Sequence, residues 1–94
     1  MLKELDPLLH SELRLGVISI LLGVEEADFV YLREQTGATG GNLSVQIDKL
    51  EKAGYITVEK TYAGKKPRTV CHITTAGKRA FEEYVNTLKT YLKL

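Results

Sequence analysis

The stretch Thr36–Gly54, TGATGGNLSVQIDKLEKAG, decides how the chain is read. Gly37, Gly40 and Gly41 crowd its start like a phosphate-cradling loop, yet Leu43, Ile47, Leu50 and Ala53 follow at helical spacing. A P-loop would place Lys and Ser/Thr directly after its glycines, and none follow. A dinucleotide-binding turn would follow a strand, whereas Phe29 to Gln35 reads as a helix. The glycines therefore make a tight turn and a bare helix start, where free backbone N–H groups and the positive end of the dipole can approach a phosphate. The spacing predicts a helix over about residues 40–53, with Thr39 as its cap and Gly54 as its terminator.

At about 100° per residue, Leu43, Ile47 and Leu50 define the inward side of this helix. Gly41, Val45, Asp48 and Lys52 fall nearly opposite, with Asn42 and Lys49 on one flank and Ser44 on the other. An outward Val45 has no packing role in a lone protomer. Against DNA it could meet a thymine methyl, while Asn42 and Ser44 could hydrogen-bond base edges or phosphates. The plain alternative is a solvated face with one stray valine. Asp48 would repel phosphate, so it is expected to lie away from the DNA backbone or to accept from a cytosine amine.

Upstream, Asp28 can cap a short helix reaching about Thr36, with Phe29, Val30 and Leu32 as its apolar surface and Gly37 as its left-handed end. Before that, Asp6-Pro7 suits a helix start, and Leu9, Leu13, Val17, Ile20 and Leu21 step by threes and fours to Gly23, with Ile18 and Leu22 widening the stripe. His10 and Arg14, four apart, would share a face of that helix. They could mark a ligand site or pH sensor, but the ordinary expectation is a surface pair, or Arg14 bound to Glu12 or Glu34.

Downstream, YITVEK alternates, with Ile56 and Val58 on one side, and RTVCHIT reads as its antiparallel partner across a basic turn at 63–67. Thr74 or Thr75 then caps a last helix carrying Phe81, Tyr84, Val85, Leu88, Tyr91 and Leu92. The order is helix, helix, helix, strand, strand, helix. It describes a mostly helical α+β domain, a winged helix-turn-helix spanning residues 1–94, with the hairpin as wing.

The 94 residues, 44% hydrophobic and 27% charged, are those of one ordinary globular domain. The net charge of +1 conceals a split. Residues 1–37 hold three bases against seven acids, and residues 38–79 hold eight bases against three acids, so a polyanion would meet the second half. Lys60, Lys65, Lys66 and Arg68 lie in or beside the wing and are expected to set DNA affinity. A basic hairpin tip can also be no more than a solubilising turn. The single cysteine, Cys71, suits a reducing cytoplasm, and its parity with Ile73 suggests a small buried side chain rather than a redox sensor. Neither a metal cluster nor a bilayer-spanning run nor an export signal is legible, and no cofactor is expected.

The segments HSELRLGVISIL, DFVYLREQTGATGGNLSVQIDKLEKAGYI and KPRTVCHITTAGKRAFEEY closely resemble the small winged-helix transcriptional regulators related to the MarR and ArsR groups. The likeness runs from about Leu8 to Tyr84 and rests on the combination of GNLS, LEKAGYI, a basic turn, PRT and ITTAGKRAF. One departure is Gln46, which stands where many relatives have a histidine and so bears on base preference or helix packing.

The resemblance implies a cytoplasmic, non-enzymatic homodimer that binds double-stranded DNA and controls transcription. It puts the third helix in the major groove and the wing, about 60–69, on flanking backbone or minor groove. The implied DNA-facing set is Thr39, Gly41, Asn42, Ser44, Val45, Lys49, Lys65, Lys66 and Arg68. The apolar surplus of the last helix, 75–94, points to dimerisation, with Leu9, Leu13, Phe81, Tyr84, Leu88, Tyr91 and Leu92 at the interface. A cavity between protomers would have room for a small-molecule effector, although no residue specifies one. The competing reading is a winged helix that serves only as a protein-interaction module.

Overall fold

The computed structural model describes residues 2–93, so the outermost position at each end of the 1–94 span lies outside the described residues. Helix α1 (Glu12–Leu22) leads through a two-residue strand β1 (Ala27–Asp28) into α2 (Phe29–Thr36) and α3 (Gly40–Lys52). Strands β2 (Ile56–Ala63) and β3 (Lys66–Ile73) form the hairpin, and α4 (Thr75–Leu92) closes the chain. This is the expected winged helix-turn-helix. One element was not foreseen: β1 adds a third antiparallel strand in the order β1-β3-β2, pairing Ala27 with Cys71 and Asp28 with Val70.

All four helices start by one device. Ser11, Asp28, Thr39 and Thr74 sit in extended backbone, and each side chain accepts from the N–H three residues on, those of Arg14, Tyr31, Asn42 and Gly77. Ser11 corrects the start expected at Asp6-Pro7. The N–H groups of Leu9 and His10 both donate to the Asp6 carbonyl, at 3.1 and 3.0 Å, which closes a single turn. Extended Ser11 then ends that turn and caps α1, so His10 lies outside the helix and shares no face with Arg14.

The segment before α1 is tied down by side chains. Tyr55 donates its hydroxyl to Asp6 Oδ2 at 2.6 Å, and Tyr91 donates to the Lys3 carbonyl at 2.7 Å. Lys3 pairs with Glu83, and His10 Nδ1 meets the Tyr84 hydroxyl at 3.2 Å. The Asp6 bond and partial burial hold the Tyr55 proton, pushing that phenol up to about 12.

The core is one cluster from every layer: Val17, Ile18 and Leu21 of α1, Leu32 of α2, Leu43, Ile47 and Leu50 of α3, Ile56 and Cys71 of the hairpin, and Tyr84 of α4. Leu9 joins it at 0% exposure. Leu9, expected at a dimer interface, is spent inside the protomer, while Tyr84 is largely buried and keeps an edge in the groove between α1 and α4. Phe81, Val85 and Leu88 are half-buried along α4, while Tyr91 and Leu92 stay exposed at its end.

The hairpin is longer and its turn tighter than the 63–67 expected. Ala63 pairs with Lys66, leaving Gly64 and Lys65 as a two-residue loop with Gly64 at φ 66°. Pro67 is accommodated inside β3 because β1 pairs only with Val70 and Cys71, so at Pro67 the strand has a neighbour on one side alone.

Gly77 explains the glycine of the ITTAG segment. A Cβ there would fall 2.2 Å from the Tyr55 carbonyl oxygen, a backbone atom that cannot swing aside. Gly77→Ala is expected to destabilise the fold by about 1–3 kcal/mol through overpacking. Urea unfolding measures this, and an unchanged midpoint would refute the close packing.

Candidate nucleic-acid interface

Helix α3 divides as its sequence periodicity predicts. Leu43, Ile47 and Leu50 are buried, and Gly41, Asn42, Ser44, Val45, Asp48, Lys49 and Lys52 are exposed. Val45 keeps 52% of its surface in the open, although its side chain is apolar. Thr39 is exposed as well, and its hydroxyl is engaged as the cap by Asn42 N–H at 3.2 Å. Asp48 binds Lys52 Nζ at 2.8 Å along the helix; the bond raises the lysine's pKa and offsets the Asp48 charge, while Glu51 is exposed beside it in the cleft toward the wing.

The glycines at the helix start have different standings. Gly37 needs its left-handed φ of 71°, as the turn requires. Gly41 has ordinary helical backbone and nothing within 4 Å of an added Cβ. The fold places no demand on glycine there, and what the missing side chain does is leave the first turn of α3 bare.

Strand parity sorts the wing into two faces. Val58, Lys60 and Thr69 line a cleft of about 340 Å³ together with Ser44, Ile47 and Asp48, so this face turns toward α3. Tyr62, two residues beyond Lys60, continues the same face and is 71% exposed opposite Pro67. Lys65 and Lys66 stand exposed at the tip.

Arg68 occupies the other face. Its Nε donates to Asp28 Oδ2 at 3.2 Å and its Nη1 meets Glu26 Oε2 at 3.5 Å. The Tyr31 N–H bond first, and Arg68 with it, hold the Asp28 carboxyl below its ordinary range. Arg68, expected to face DNA, is here paired with two carboxylates and braces the wing against β1. His72 leans on the same Glu26 at 3.5 Å.

Sequence reasoning missed Tyr62, although its parity with Ile56 and Val58 was available. It also missed the partners of Arg14, which donates to the Leu8 carbonyl and to Gln46 rather than to Glu12 or Glu34. Cys71 is fully buried, and burial pushes its thiol up to about 11, so almost no thiolate is present at neutral pH. Among the described residues no three metal-ligating side chains cluster, and no helix is long and apolar enough to cross a membrane.

A family model for the winged helix DNA-binding domain matches residues 13–92. The chain belongs to that family. This winged-helix chain is 33% identical over 76 residues to an uncharacterized protein of Methanocaldococcus jannaschii, covering 81% of this chain and 83% of the relative. The structure of a transcriptional regulator homologue from Pyrococcus horikoshii OT3 superposes with a TM-score of 0.84 at 31% identity, covering 92% of this chain and 85% of that one. Bacillus subtilis PadR in complex with operator DNA shares the fold, with a TM-score of 0.71 at 18% identity over 80% of this chain and 48% of its own. The winged-helix assignment makes this a DNA-binding regulator's fold and not an enzyme's.

The open space at Gly41 leads to a test with two opposite signs. Gly41→Ala is expected to stabilise the helix start by about 0.5 kcal/mol and to weaken DNA binding, because its methyl stands between the backbone and the duplex. Thermal melting and fluorescence anisotropy with a labelled duplex measure the two effects. Unchanged or tighter binding would contradict a role for the bare helix start.

Proposed function

We propose that this chain regulates transcription as a cytoplasmic homodimer that binds specific sequences of double-stranded DNA. Helix α3 enters the major groove, and the wing lies on flanking backbone or in the minor groove. The observation that carries the reading is the alignment of two surfaces. The exposed side of α3 has no partner in the protomer, and beside it the α3-facing side of the wing carries Lys60 and Tyr62, with Lys65 and Lys66 at its tip.

The roles follow from side-chain chemistry. Gly41 and the capped turn at Thr39 present backbone N–H groups to a phosphate. Val45 meets a thymine methyl, and Asn42 and Ser44 hydrogen-bond base edges. Lys49, Lys60, Lys65 and Lys66 neutralise phosphates, and Tyr62 packs on sugar or backbone at the wing's edge.

A second copy pairs through α1 and α4. Leu15, Gly16, Phe81, Val85 and Leu88 line an open apolar groove of about 330 Å³ between these helices. Tyr84 lines the same groove, and Leu13, Tyr91 and Leu92 supply further surface in place of the buried Leu9. A two-fold axis there sets the two reading helices about one DNA turn apart, matching paired half-sites.

Binding is expected to fall steeply with salt. Lys65→Ala and Lys66→Ala should each weaken it on duplexes of any sequence and each reduce the salt slope by about one unit. Anisotropy titrations across a salt series measure both effects. No binding at low salt, or indifference to the paired substitution, would favour the protein-interaction reading instead.

A further inference from the structure

We propose that Gln46 and Arg14, acting without contact to DNA, decide which kind of base edge Asn42 reads, by fixing Asn42 as a hydrogen-bond donor. The proposal rests on α3 being the DNA-reading helix and specifies how one of its contacts is chosen.

Three side chains form a relay from the segment before α1 to the exposed face of α3. Arg14 Nε donates to the Leu8 carbonyl at 2.5 Å, and its Nη1 donates to Gln46 Oε1. Gln46, one turn after Asn42 on the same flank and half-buried, donates through Nε2 to Asn42 Oδ1 at 2.9 Å. Asn42 itself is exposed.

The direction of this relay is fixed by chemistry. Two neighbouring amide side chains alone can pair either way round, because each has a donor end and an acceptor end. Arginine has donors only. The Gln46 atom facing Arg14 must therefore be its oxygen, which leaves the Gln46 amino group to face Asn42. Asn42 answers with its oxygen, which leaves its NH2 group outside the relay. The Leu8 carbonyl, accepting from Nε, holds in place the guanidinium whose donors set the polarity of the relay.

The consequence is a restriction on base preference. The common asparagine contact to adenine uses both ends of the amide, accepting from N6 and donating to N7. Here Oδ1 already accepts from Gln46, which spends one of its two lone pairs and leaves the NH2 group as the wholly free end of the amide. It suits an acceptor edge, O6 and N7 of guanine or O4 of thymine, and disfavours the amino groups of adenine and cytosine. Arg14 and Gln46 are positioning residues for this choice.

Gln46→Glu is the decisive variant. Its carboxylate keeps an oxygen for Arg14 and puts a second oxygen where the amino group stood. Asn42 must then turn over, donate to that oxygen and present its own carbonyl outward. Gln46→Met keeps the bulk but breaks the relay.

The test selects bound duplexes from a random pool with the full chain, the two variants and Asn42→Ala, each first shown to melt like the parent. The parent is expected to favour guanine or thymine at one position of each half-site, and Gln46→Glu to favour adenine or cytosine there, with relative affinity changed about tenfold. Gln46→Met is expected to lose the preference at that position and keep the others. In an Asn42→Ala background, Gln46→Glu should leave that position unchanged. The same preference in Gln46→Glu as in the parent overturns the relay, as does a shift that persists without Asn42. A parent that binds duplex but enriches no sequence also overturns it, whereas a parent that binds no duplex overturns the DNA reading itself.

Discussion

The backbone of Gly77 lies so close to the Tyr55 carbonyl that no side chain fits between them, and much of the architecture follows from that contact. Tyr55 is the last of the three residues between α3 and β2, where the helix gives way to the wing. Thr74 reinforces the same point three ways. Its N–H donates to the Tyr55 carbonyl at 3.0 Å, its hydroxyl donates to the Gly54 carbonyl at 2.6 Å, and the same oxygen caps α4 by accepting from Gly77 N–H at 3.0 Å. The start of α4, the end of α3 and the root of the hairpin are thereby one joint. A shift of α4 would pass directly to both α3 and the wing.

Above that joint, burial and charge divide the labour. The apolar stripe of α3 is consumed by the core, which leaves its polar side no choice but to face outward. The bases of the second half of the chain then separate by strand parity. Lys60 lies on the side of the wing shared with α3, and Arg68 lies on the other, captured by Glu26 and Asp28. Exposed ion pairs of this kind contribute little stability. Their effect here is geometric, since they hold the wing to β1 and direct which cations remain available to a polyanion.

Much of this was legible in the sequence because it is local. The caps Asp28, Thr39 and Thr74 act on residues three positions away, and the α3 stripe and the strand alternation repeat within a few residues. What could not be read depends on partners distant in sequence. Tyr55 fastens Asp6 from 49 residues away, and Tyr91 fastens Lys3 from 88. These contacts tie the segment before α1 to Tyr55 and to α4 without a regular helix, although Asp6-Pro7 has a helix-start pattern. β1 is two residues long, too short for any periodicity to show. Arg68 and Arg14 were both taken for surface cations because their acceptors, on β1 and α3, lie 40 and 32 positions away.

The central claim is that one contiguous surface, the outer side of α3 with the α3-facing side of the wing, meets DNA. It is tested most directly by following backbone amide resonances while a duplex is titrated in at low salt. The account predicts that the largest shifts fall at residues 39–49 and 60–66, while Glu26, Asp28 and the outer turns of α4 change little. Shifts concentrated on α1 and α4 with α3 silent, or no shifts at all, would contradict it.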